Sequence, residues 1–196
     1  MGRNHFNNHT PLQQMRVEKS TWKDRLDNLI NRRKEVGHTN DNFRTESPVA
    51  DYAAHMRKVH IGNTLLDVGC GSCYLKGCIP EEVKYYGLDA VPLSEDVFHG
   101  MIEEDHVVNH FTLMKTIDTV CAFAVMDGCQ DFDLACQNIK RIAKRNVVFL
   151  TGIGIEADEF HTHKLEISDF NRNFNDWEST VWQIAPKVYL LEYRRP

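Results

Sequence analysis

The rhythm of apolar and polar positions changes several times along the chain. Met1–Gln14 is polar and aperiodic, which predicts a mobile tail. Trp22, Leu26, Leu29 and Ile30 then recur at helical spacing, with Ser20 or Thr21 as N-cap and Gly37 as the stop. A second, short helix is expected around Pro48–Val59, capped by Ser47 and opened by Pro48. From there the pattern turns to short apolar runs. Thr64–Val68, Tyr85–Leu88, Val97–Ile102, Asp118–Ala124 and Asn146–Thr151 read as five strands. Between the last two, Phe132, Ala135, Ile139, Ile142 and Ala143 form one face of an amphipathic helix. Thr180–Ile184 and Val188–Tyr193 are strands joined across Ala185-Pro186-Lys187, a link so short that the pair must be antiparallel. Strands alternating with helices predict an α/β, doubly wound, seven-stranded sheet that is mostly parallel, with helices on both faces. The C-terminal hairpin supplies its one antiparallel strand. The expected division is an N-terminal tail and helical lid over 1–46 and one α/β domain over 47–196.

Bulk properties change this picture little. A chain of 196 residues suits one domain with a sizeable core. The formal charge of −5 argues against a general nucleic-acid binder. Charge is uneven, however: Met1–Lys34 carries eight Lys/Arg against three acids, which leaves the remainder near −10. That basic arm reads first as a solvated helix face and second as a phosphate contact. Six cysteines stand at 70, 73, 78, 121, 129 and 136. Cys70-x-x-Cys73 has no second pair to complete a metal site, so structural thiols are expected and no metal. With neither a signal peptide nor a long apolar stretch, the cytoplasm is the expected compartment and no membrane contact is foreseen.

The chemistry concentrates in Leu65-Leu66-Asp67-Val68-Gly69-Cys70-Gly71-Ser72-Cys73. A buried strand delivers the chain to a turn whose glycines permit positive φ and let a ligand approach the backbone. A dinucleotide site would want Gly-x-Gly-x-x-Gly, but the sixth position is Tyr74. About 60 residues also precede the loop, whereas that fingerprint often opens its domain. Asp67, two residues before the first glycine, makes the difference. Leu66–Ser72 resembles motif I of the class I S-adenosylmethionine-dependent methyltransferases, an acid-x-Gly-x-Gly-x-Gly pattern, with Cys73 in place of the third glycine. Asp89, 22 residues after Asp67 and closing Tyr86-Gly87-Leu88-Asp89, is similar to the acid that binds ribose in that family, and Pro92 follows as in its usual continuation. The resemblance runs from about Ser47 to Pro196. The stretches after motif I and after Asp89 are too short for full-length helices.

The resemblance implies S-adenosylmethionine as cofactor and methyl transfer as activity. Gly69, Cys70 and Gly71 would run beside its amino-acid and ribose parts, Asp67 would either order the loop or reach the cofactor's ammonium through water, Asp89 and Ala90 would border its ribose, and Met101, Ile102 and Phe123 its adenine. Arg44 or Arg57 would meet its methionine end. For a general base the candidates are His161 and His163, in the loop after the fifth strand, where substrates usually enter such sheets. Asp127 and Asp131, past the fourth strand, are candidates for substrate contact. Phe123-Ala124-Val125-Met126 lacks the Asn/Asp-Pro-Pro-aromatic stretch of enzymes that methylate exocyclic amines of DNA bases. Neither Cys121 nor Cys129 follows a proline, so the Pro-Cys nucleophile of cytosine-5 enzymes is missing too. A small-molecule acceptor is therefore expected. Two alternatives stand beside it: an RNA methyltransferase using the basic arm, and a non-catalytic cofactor-binding domain.

Overall fold

Seven strands form one sheet in the order β3-β2-β1-β4-β5-β7-β6. In this computed structural model the described residues are 48–157 and 161–196, so the expected helix between Met15 and Lys34, the lid and Arg44 lie outside them. The strands are β1 (Thr64–Val68), β2 (Lys84–Asp89), β3 (Phe98–His99), β4 (Thr119–Phe123), β5 (Asn146–Gly152), β6 (Glu178–Ala185) and β7 (Val188–Arg194). β1 to β5 pair in parallel, and β7 runs antiparallel to both β5 and β6. Central β4 is buried at every position, as a strand covered on both faces must be, whereas edge strand β6 alternates between exposed and partly buried residues.

The alternation of side chains sorts the core into two layers. Leu66 and Val68 of β1, Val120 and Ala122 of β4 and Val147 and Phe149 of β5 pack beneath α2 (Asp105–Met114), α3 (Phe132–Ile142) and α4 (Ile167–Asn173). Leu65, Cys121, Phe123, Val148 and Leu150 face the other way, against α1 (Tyr52–Met56) and the 3₁₀ turn Tyr74–Cys78. The first layer includes the predicted face of α3, Phe132, Ala135, Ile139, Ile142 and Ala143.

Two expectations are corrected in detail. The helix foreseen over Pro48–Val59 is split into a 3₁₀ turn, Pro48–Ala50, and α1, because the Asp51 carboxylate accepts the Ala54 amide at 2.8 Å and caps a new start. The strand expected over Val97–Ile102 is only Phe98–His99. Val97 closes a turn onto the Ser94 carbonyl, and beyond Gly100 the Met101 amide is taken by the Glu104 carboxylate at 2.8 Å; the Glu104 carbonyl then accepts the Val108 amide and opens α2. The two short connections do lack full helices. Only the turn Tyr74–Cys78 follows the glycine loop, and an irregular loop joins Asp89 to β3.

Candidate cofactor and active site

The strand order reverses between β1 and β4, and the loops leaving their carboxyl ends flank the resulting crevice, where ligands of open α/β sheets bind. Gly69 leaves β1 with φ +71°, and its amide and that of Cys70 both donate to the Leu88 carbonyl, at 2.8 and 3.1 Å. A Cβ on Gly69 would lie 2.5 Å from Cγ2 of Val125, so the loops after β1 and β4 meet in direct contact at the crevice. Gly71 and Cys73 are also left-handed, at φ +55° and +60°. The substitution at the third glycine position therefore keeps the glycine's backbone conformation and bears the strain of a side chain there.

Asp89 ties this loop to β2. It is buried, its Oδ2 accepts the Gly71 amide at 2.9 Å, and its Oδ1 accepts the Val91 amide at 2.8 Å. An ionised carboxylate is acceptor-only, so both oxygens serve as acceptors at this turn. Asp67, also buried, accepts the Tyr85 hydroxyl at 2.7 Å. Burial, and then the Asp67 charge, push the Tyr85 phenol well above its ordinary pKa, so it remains a proton donor. The Cys70 thiol is likewise pushed up, by burial first and by Asp67 next.

A second cluster forms where the loops after β4 and β5 lock together. The 3₁₀ turn Met126–Gly128 follows β4, and Thr162 places its hydroxyl on the carbonyls of Asp127 and Cys129, at 2.8 and 2.7 Å. The His163 amide donates to the Asp127 carbonyl at 3.0 Å. The His163 Nε2 lies 3.0 Å from the Cys129 carbonyl, a pairing that requires the proton on Nε2. This clamp brings His161 Nε2 to 3.7 Å from Asp127 Oδ2, with the imidazole about a third exposed and the carboxylate more buried. Asp131 turns elsewhere and caps α3 through the Leu134 amide at 3.0 Å.

Of the residues expected at an adenine site, Ile102 and Phe123 lie in the separate layers on opposite faces of the sheet. Phe123 packs edge-on to Tyr52 with ring centroids 4.9 Å apart. Met101 is partly exposed in the turn before α2. Ala90 follows Asp89, partly exposed, its carbonyl 3.0 Å from His99 Nε2. Arg57 is exposed at the C-cap of α1. Sequence reasoning missed Tyr85, the Val91 amide, and Ala124–Val125 at the exit of β4. Ala124 is exposed with φ +54°, a strained conformation of the kind that collects at functional sites. In the sequence it reads only as the last residue of the expected strand Asp118–Ala124.

A mostly parallel sheet in this order, with β7 inserted antiparallel between β5 and β6, is the fold of the class I S-adenosylmethionine-dependent methyltransferases. Three solved structures illustrate the likeness. An N1-methyltransferase of Burkholderia thailandensis, with bound 1,6-didemethyltoxoflavin and S-adenosylhomocysteine, is 9% identical with a TM-score of 0.58, over 98% of this chain and 93% of its own. A SAM-dependent methyltransferase of Aquifex aeolicus is 16% identical with a TM-score of 0.52, over 76% and 92%. The CurJ carbon methyltransferase is 10% identical with a TM-score of 0.61, over 93% and 69%. No protein-family model matches the chain, and no curated protein matches it in sequence.

Proposed function

We propose that the chain is an S-adenosylmethionine-dependent methyltransferase acting on a small-molecule acceptor. The observation that carries this reading is Asp89: a buried acid closing β2, bonded to the glycine loop at the crevice between β1 and β4. The donor set fits the cofactor. Gly69 and Gly71 keep side chains out of the loop, and the acceptor-only carboxylate of Asp89 suits a pair of ribose hydroxyls. Asp67 holds β2 through Tyr85 and adds negative charge beside the loop, toward an ammonium group. The cofactor, when bound, supplies a methyl group already activated on a sulfonium.

Three roles then fall to the chain. It aligns acceptor and cofactor, and such positioning is worth roughly 7–11 kcal/mol in favourable systems. It keeps water from the reacting atoms once acceptor and cofactor fill the crevice. Finally, it takes a proton from an acceptor that carries one. His161 is placed to act as that base, because Asp127 faces its Nε2 and orients the imidazole. His163, engaged through Nε2 with the Cys129 carbonyl, positions the loop. The small acceptor is supported by the missing DNA-base motifs and by the Burkholderia enzyme, similar over nearly its whole length, which holds 1,6-didemethyltoxoflavin.

Calorimetry with S-adenosylmethionine, S-adenosylhomocysteine and NAD tests the reading. Binding of the first two, sharply weakened in Asp89→Ala, is the expected result. Binding of NAD alone would overturn it. With an acceptor found by screening, His161→Ala should lower kcat by about 10²–10⁴-fold while cofactor affinity is kept.

A further inference from the structure

We propose that Cys70 and Cys73 form a redox-modification site, in which an intramolecular disulfide made by a hydroperoxide switches the glycine loop out of its binding form. The effect on binding rests on the proposed cofactor; the bond itself does not.

The two thiols are free, and their Sγ atoms lie 3.8 Å apart. The Cys73 amide donates to the Cys70 carbonyl at 2.9 Å and closes a turn between them. Such turns hold their end Cα atoms within about 7 Å, and disulfides bridge Cα atoms about 4.4–6.8 Å apart. The backbone thus already sits in the range the bond needs. Exposure divides the roles, since Cys73 is partly exposed whereas Cys70 is buried. The surface thiol meets the oxidant first. Cys73–SH and a hydroperoxide ROOH give Cys73–SOH and ROH. Cys70 gives up the proton that burial and Asp67 hold on it and attacks the Cys73 sulfur; the S–S bond forms, and water leaves with that proton and the sulfenic hydroxyl. Two electrons pass from the thiols to the peroxide.

The loop must deform when the bond closes. A disulfide needs about 2.05 Å between sulfurs, so one thiol has to travel. Cys70 is seated against Gly87 of β2, where a Cβ would lie 2.9 Å from its Sγ, and the glycine is what makes room for it. Cys73 therefore makes the move and draws Gly71 and Ser72 with it. Gly71 carries the amide that Asp89 accepts, so oxidation loosens the link between loop and ribose site.

The full chain is reduced, freed of reductant, treated with hydrogen peroxide, alkylated and peptide-mapped, and S-adenosylmethionine affinity is measured before and after treatment. A Cys70–Cys73 disulfide and an affinity lowered at least about tenfold, restored by dithiothreitol, are expected. In Cys73→Ser the affinities before and after peroxide should agree. Mapping that finds no bond between Cys70 and Cys73 overturns the proposal, and so does a mapped bond with unchanged affinity. A reduced chain that binds no S-adenosylmethionine overturns the functional reading instead, and mapping alone then decides the modification site.

Discussion

Replacing Asp89 by asparagine tests the central joint of the site without changing its shape. In the native chain the two carboxylate oxygens divide two backbone amides, Gly71 on Oδ2 at 2.9 Å and Val91 on Oδ1 at 2.8 Å. Asparagine offers one oxygen and one NH₂. Whichever way the amide turns, one backbone N–H faces a donor, and the charge that strengthened the other bond is gone. A hydrogen bond to a charged group is worth about 1.5–3 kcal/mol, and Asp89 is only 4% exposed, so water does not replace the lost partner freely. The expected destabilisation is about 2–3 kcal/mol, which for a domain of this size lowers Tm by roughly 4–12 °C. Thermal unfolding followed by circular dichroism measures it. Asp89→Asn should also weaken S-adenosylmethionine binding, because it offers the ribose a weaker acceptor. A Tm within about 1 °C of the native value would refute the reasoning, since it would mean the two amides find other partners without cost.

Three further outcomes are expected. Gly69→Ala combines a left-handed φ of +71° with a Cβ 2.5 Å from Val125, so it should cost about 2–4 kcal/mol in urea unfolding and separate the loops after β1 and β4. Tyr85→Phe leaves the buried Asp67 carboxylate without the hydroxyl at 2.7 Å, and a loss of about 1.5–3 kcal/mol is expected in the same assay. Cys70, Cys121, Cys129 and Cys136 all have thiols raised by burial above their unfolded value, so they keep protons that the unfolded chain releases. Their stabilisation is complete below about pH 8.5 and is lost as pH rises beyond it, by up to about 1.4 kcal/mol per pH unit for each thiol. Urea midpoints at pH 7, 9 and 10 should fall steeply over the last two; a flat profile would contradict the burial of these thiols.

Much of the fold was legible along the chain because its periodicities are local. β1, β4 and β5 are short apolar runs, and each begins and ends within two residues of its expected limits. The hairpin of β6 and β7 followed from the length of its link alone. β3 was not legible in the same way. Its two residues pair with Leu88 and Asp89, and a strand so short leaves no period to read.

For the site, the order of residues determined that a glycine loop follows β1 and that an acid closes β2. It determined equally that Cys73 stands where a glycine is usual. Only the tertiary structure decided what these do to one another. Parallel pairing of β1 with β2 places Asp67 beside Gly87 and lets the Tyr85 hydroxyl reach its carboxylate, a contact across 18 positions that no motif spells out. The reversal of strand order brings Val125 onto Gly69, and the clamp of Thr162 brings His161 to Asp127. The same packing sends Ile102 and Phe123 to opposite layers. Local pattern is set by which residue follows which, whereas these contacts depend on which strand lies beside which. That choice is made by burying both faces of one sheet.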